Sequence, residues 1–241
     1  QLSAKNHFLN EQRLKGLVYQ CALNKDLSIT EDYKQEWKKN WFRNQFHQNE
    51  IHNLLKIGFD EFNPVILKGM ALVTDVYSDL GSRGMSDIDI YAEVNHSNDI
   101  FKFLTSNGYT RDKVERLGTL NNKEIYLKKS NPIDICIEVH YQLFTNSKID
   151  ILKHTSTNPD GVLTLNPTAN FTYLCFHYAH QHTFLKLFWL LDIYLYLVKY
   201  KDQIEINSCL QMAKKLNCQR AVRITLALLN KHFNLNINLK L

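Results

Sequence analysis

Gly84-Met85-Ser86-Asp87-Ile88-Asp89-Ile90 alternates carboxylate and branched aliphatic over its last four residues. A period of two signals a strand, with Asp87 and Asp89 on one face and Ile88 and Ile90 on the other. The expected strand runs from Asp87 to Val94. Two residues along a strand span about 6.6 Å, so two carboxylates can lean onto one cation. Such a negative patch is costly without a counter-charge. Mg²⁺, or Mn²⁺ in its place, suits it, because these ions take oxygen ligands and leave positions open for phosphate oxygens.

Working outward, a second alternating stretch runs from Ile133 to Leu143. Asp134, Cys136, Glu138 and His140 share one face, and Ile133, Ile135, Ile137 and Val139 the other. A strand so apolar on one side lies on a core, and its polar side faces a site or solvent. Beside the first strand, either Glu138 or Asp134 completes a three-carboxylate cluster. Three carboxylates can hold two metal ions about 3.5–4 Å apart, which activates an attacking oxygen and stabilises a leaving one. His140 can orient Glu138 or move a proton. Upstream, Val65-Ile66-Leu67 reads as a buried strand that ends in a Lys68-Gly69 turn, followed by a helix from Met70 to Tyr77. A helix start offers free backbone N–H groups to an anion, and glycine permits close approach. Lys68 adds a point charge suited to a triphosphate. Arg83 either contacts phosphate or braces its loop through Asp79.

The remaining pattern is mostly helical. Phe8, Leu9, Leu14, Leu17, Val18 and Cys21 recur at helical spacing, and a second helix spans Glu31 to Ile57. Its Trp37, Trp41, Phe42 and Phe46 are expected to pack on the core rather than to touch nucleic acid. A helix from Asp99 to Ser106 and strands from Tyr109 to Leu117 and Glu124 to Lys128 follow. From Pro167 onward four helices are expected: Pro167 to His180, Leu185 to Tyr200, Ile204 to Leu216 and Gln219 to Phe233. Strands followed by a run of helices make the class α+β. The expected organisation is an N-terminal helical segment (1–60), an α/β core (61–165) and a C-terminal helical domain (166–241).

Composition narrows the class further. At about 150 residues per domain, 241 residues make roughly one and a half domains. Hydrophobic residues at 44% against 22% charged exclude a disordered chain. Cys21, Cys136, Cys175, Cys209 and Cys218 form no CxxC pair, which excludes a disulfide framework or zinc knuckle and points to the cytoplasm. No apolar run reaches the ~18 residues of a membrane span, and no signal peptide opens the chain. A net charge of +5 fits an anionic ligand but is weak for nucleic acid. His177 and His180 share a helical face and are expected to pack or line a cleft rather than bind zinc. Asp192, inside an apolar helix, is expected to have a partner.

Leu67-Lys68-Gly69-Met70-Ala71-Leu72, then Tyr77, Asp79, Gly81, Arg83, Met85 and Asp87-Ile88-Asp89-Ile90, resembles the bacterial proteins called uncharacterised nucleotidyltransferases, of the DNA-polymerase-β-like superfamily. Glu138-x-His140, Leu174 to His177, His180, Trp189 and Asp192 extend the resemblance, which covers roughly 64–233. It implies a mixed sheet flanked by helices, then a helical domain. It also implies metal-assisted transfer of a nucleoside monophosphate from an NTP to an acceptor, with release of pyrophosphate. By that resemblance Asp87, Asp89 and Glu138 are the metal ligands, and Gly69 lies at the triphosphate. Met70 stands where the wider superfamily usually has Ser, so that hydroxyl contact is missing and Lys68 takes its place. The acceptor is a small molecule or a protein hydroxyl, with an RNA end less favoured. The competing readings are a nucleotide-binding module without turnover and a metal-dependent phosphoester hydrolase.

Overall fold

The computed structural model describes residues 8–77, 79–117, 120–145, 149–158 and 160–235. In chain order the elements are α1 (Lys15–Leu23), α2 (Glu31–Lys56), β1 (Val65–Ile66), α3 (Lys68–Asp75), β2 (Ile88–Tyr91), α4 (Ser97–Ser106), β3 (Thr110–Leu117), β4 (Leu120–Lys128), β5 (Ile135–His140), β6 (Thr155–Thr157), β7 (Leu163–Leu165), α5 (Pro167–His180), α6 (Leu187–Lys199), α7 (Ile206–Lys215) and α8 (Gln219–Phe233). The seven strands form one mixed sheet in the order β3-β4-β5-β2-β1-β7-β6. The α+β expectation therefore stands.

Local chemistry accounts for the element ends. Helix α2 carries Glu31 and Asp32 in its first turn and Lys56 in its last, which complements the helix dipole. Gly58 (φ +112°) then supplies the left-handed residue that stops it. Asn166 caps α5, its Oδ1 accepting from the Ala169 N–H at 3.0 Å, with Pro167 at the first helical position.

The sheet is organised by its apolar face. Ile88, Ile90, Ile135, Ile137 and Val139 are buried and join Ile66, Ile100, Leu104, Ile51 and Leu54 in one core. Each such side chain contributes ~1.5–3 kcal/mol by leaving water, so a one-residue slip that turned this set outward would be strongly disfavoured. The register pairs β2 with β5 in parallel, Ile88 with Ile137, Asp89 with Glu138 and Tyr91 with His140. Strand β1 runs antiparallel to β2, and the Leu67 N–H donating to the Asp89 carbonyl at 2.9 Å extends that pairing to the threshold of α3.

Several boundaries differ from expectation. Asp87 precedes β2 rather than opening it, since pairing with β5 begins at Ile88. Lys68 and Gly69 form the first turn of α3 and are not a separate turn before it. Asp134 lies before β5, because its carboxylate closes the β4–β5 connection on Lys129 and the Ser130 N–H. Strands β6 and β7 are three residues each, too short for alternation to reveal.

Two compact units divide the chain: residues 1–143 with 157–164, and residues 144–156 with 165–241. The N-terminal helices belong with the α/β core. Within the first unit, α2 pins the loop that leads into β2. Asn44 Nδ2 donates to the Leu80 and Arg83 carbonyls at 2.7 and 2.6 Å, and Asn40 Nδ2 to the Gly81 carbonyl at 3.3 Å. Gly81 packs so tightly on Trp37 that a Cβ there would lie 2.4 Å from the indole nitrogen, and a Cβ on Gly16 of α1 would lie 2.2 Å from the Gly81 oxygen. Within the second unit, α5 is buried from Ala169 to Tyr178 and packs against α6, α7 and α8.

Candidate active site

Strands β2 and β5 place Asp89, Glu138 and His140 on the face opposite the apolar core. One ligand atom from each lies within 4.8 Å of the others. Asp89 is 5% exposed, and its Oδ1 meets Lys68 Nζ at 2.5 Å and His140 Nε2 at 2.8 Å. His140 Nε2 also lies 3.6 Å from Glu138 Oε2, which receives a hydrogen bond from Lys123 Nζ at 3.0 Å. Lys123 in turn approaches Glu115, which pairs with Lys113, so a chain of alternating charges runs out along the β3–β4 hairpin. Lys68 reaches Asp89 from a left-handed backbone (φ +42°), a conformation lysine rarely adopts and one typical of functional positions.

The two aspartates have opposite electrostatics. Burial, then the charges of Asp89 and Glu138, push the Asp87 carboxyl up to about 6. Burial also opposes ionisation of Asp89, but the Lys68 ammonium and the His140 hydrogen bond outweigh it and hold Asp89 well below the usual carboxylate range. Burial and the Lys68 charge lower His140, so its ring is neutral near pH 7. Burial and the three carboxylates push the Cys136 thiol, on the same face, up to about 12.

Two carboxylates and an imidazole aimed at one point suit a divalent cation. The raised Asp87 carboxyl would be relieved by the same positive charge. Asp89, Glu138 and His140 would hold such an ion, with Asp87 two residues before Asp89. Lys68, at the first turn of α3, brings an ammonium to this face.

Of the residues anticipated from sequence, Asp89, Glu138, His140 and Lys68 come together. Asp87 enters the same electrostatic field but lies outside the three-residue group. Asp134 stands apart, half exposed and paired with Lys129 at 2.6 Å. Arg83 is 2% exposed, with Nη1 2.9 Å from where a Cβ on Gly69 would sit. Its guanidinium is thus packed inside the protein against the start of α3, and Gly69 is a glycine to make room for it. Asp79 braces the same loop by accepting from the Gly81 N–H at 2.6 Å. His177, His180 and Asp192 belong to the second unit. There His177 and His182 meet Nε2 to Nε2 at 3.1 Å, His182 stacks on Trp189, and Asp192 is fully buried. Lys123 went unremarked in the sequence because only the antiparallel register of β4 on β5 sets it opposite His140.

The mixed sheet thus carries an acidic face, with Asp89 beside Glu138 and His140, next to the start of α3. The chain belongs to the family described as uncharacterised nucleotidyltransferase, which matches residues 6–234. The match reaches well before Pro64, so the N-terminal helices lie within the family's extent. Comparison with curated proteins returns no match. No helix among the described residues is long and apolar enough to cross a membrane.

Proposed function

We propose that this chain transfers a nucleoside monophosphate from an NTP to a hydroxyl acceptor, a small molecule or a protein, and releases pyrophosphate. The observation that carries the reading is the β2–β5 register, which sets Asp89 directly beside Glu138 with Asp87 two residues upstream and Lys68 on the same carboxylate. Asp87, Asp89 and Glu138 serve as the metal-binding carboxylates, for Mg²⁺ or Mn²⁺. When bound, the divalent ion supplies charge stabilisation at the α-phosphate and lowers the pKa of the attacking hydroxyl. Lys68 and His140 keep Asp89 ionised, and Lys123 orients Glu138. Without a metal ion the Asp87 carboxyl is half ionised only near pH 6. Lys68, with the first-turn N–H groups of α3, offers the triphosphate its positive contacts. Catalysis then rests on positioning and preorganised charge. Five free cysteines suit a reducing cytoplasm.

The test is incubation with each α-labelled NTP, Mg²⁺ or Mn²⁺ and a cell extract, beside an Asp87→Ala/Asp89→Ala variant. Label appearing on an extract component together with pyrophosphate, only when both aspartates are present, is the expected result. Nucleotide binding without transfer would replace the reading with a binding module, and free phosphate without transfer would replace it with a hydrolase.

A further inference from the structure

The donor set carries an inference about which ion the site prefers, and it rests on the reading of this face as a metal site. We propose that Nε2 of His140 is itself a metal ligand, which makes the site a mixed nitrogen–oxygen centre that selects Mn²⁺ and Co²⁺ over Mg²⁺. Three observations point this way. First, the Asp89, Glu138 and His140 donor atoms form one group within 4.8 Å, and Asp87, the carboxylate that the proposed function adds to Asp89 and Glu138, stands outside that group. Second, Nε2 is the ring nitrogen aimed inward, at 2.8 Å from Asp89 and 3.6 Å from Glu138. Third, the chain already seats a cation at this point. The Lys68 ammonium is held on Asp89 Oδ1 at 2.5 Å from a left-handed backbone.

Donor chemistry then decides the ion. Mg²⁺ is hard, dehydrates reluctantly and is bound through oxygen. An imidazole in the set favours ions further along the Irving–Williams order, where Co²⁺ lies above Mn²⁺. Ligation through Nε2 places the single proton of the neutral ring on Nδ1 and frees Asp89 Oδ1 from its hydrogen bond with the ring. Cys136, a softer donor two residues from Glu138 on the same strand, lies outside the group and serves as the control.

The experiment uses the tag-free full chain, stripped with a chelator and without nucleotide. It is titrated calorimetrically with MgCl2, MnCl2 and CoCl2, and the visible absorption of Co²⁺ is recorded. Mn²⁺ and Co²⁺ are expected to bind at least about tenfold more tightly than Mg²⁺. His140→Ala is expected to weaken Co²⁺ by at least about 10- to 100-fold, the cost of losing a mere hydrogen-bond partner of a ligand, and to change its ligand-field band. Mg²⁺ affinity should move far less. Cys136→Ser should leave all three unchanged. His140→Gln, checked by circular dichroism, covers the case in which the alanine variant does not fold. Equal affinity for the three ions, a Co²⁺ spectrum indifferent to His140, or no binding at all would overturn the proposal. Selectivity without nucleotide transfer would instead sink the proposed reaction and leave this ligand set standing.

Discussion

Two carboxylates two residues apart make opposite contributions to stability. Asp87 has its pKa raised in the folded chain, so what it contributes is full below about pH 4 and is lost as pH rises through about 6. In chelator-treated protein, Asp87→Asn is expected to raise Tm, with a gain near zero at pH 4 that grows to a plateau above pH 7. A gain of about 1 kcal/mol corresponds to about 2–4 °C for a chain of this size. Asp89 is depressed instead, so its contribution is present above the ordinary aspartate range and is lost only in strong acid. Asp89→Asn withdraws the carboxylate from a nearly buried Lys68 and is expected to cost about 3 kcal/mol at pH 7, measured by denaturant unfolding. Both variants are expected to lose nucleotide transfer. Equal Tm shifts for the two would contradict the electrostatic description. On the opposite face, Glu124 is 1% exposed and accepts from Tyr126, from Tyr141 at 3.1 Å and from Arg111 at 3.3 Å. Glu124→Leu strands those donors and is expected to cost about 2–4 kcal/mol in the same assay, without changing metal affinity.

At the scale of elements, the loop from Leu80 to Arg83 depends on α1 and α2 for its shape. Asn44→Ala removes a buried hydrogen bond to the Arg83 carbonyl and a half-buried one to Leu80, and is expected to cost about 1–3 kcal/mol. Gly81→Ala drives a methyl into the Trp37 ring and is expected to cost about 1–3 kcal/mol by overpacking, with a red-shifted Trp emission as the local readout. The same elements show what a sequence can and cannot reveal. Strands β2 and β5 were legible because Ile88, Ile90, Ile135, Ile137 and Val139 alternate with polar residues. Helices α5 and α8 were legible to the residue, since Pro167 opens one and the periodicity of the other is unbroken. The carboxylate face followed from that alternation alone. The partners of those carboxylates did not. Lys123 faces Glu138 only through β4–β5 pairing, Arg83 turned inward only because Gly69 leaves it room, and Asn40 and Asn44 act across more than 35 residues. Such contacts are set by tertiary register, which no local period records.

For the whole molecule, the division into two units has a thermodynamic reading. Trp37 and Trp41 lie in the first unit and Trp189 in the second, so a Trp189→Phe variant reports the first alone. The candidate site is built entirely from the first. Mn²⁺ at about 100 times its Kd is expected to stabilise that transition by about 2.7 kcal/mol. Unfolding of the helical residues 167–233, followed by Trp189 in a Trp37→Phe/Trp41→Phe background, is expected to shift less. Equal shifts would show that the chain unfolds as one cooperative block.

The asparagine clasp on residues 80–83 bears on how this gene can be cut for the laboratory. A fragment begun at Pro64 would keep every residue of the recognisable motif, from Leu67 to Ile90 and on to His140. It would lack Asn40, Asn44, Trp37 and Gly16, and with them the mould in which the motif is cast. Cloning by motif boundaries would thus yield the signature without the site, and an inactive or insoluble product from such a clone would say nothing about the full chain.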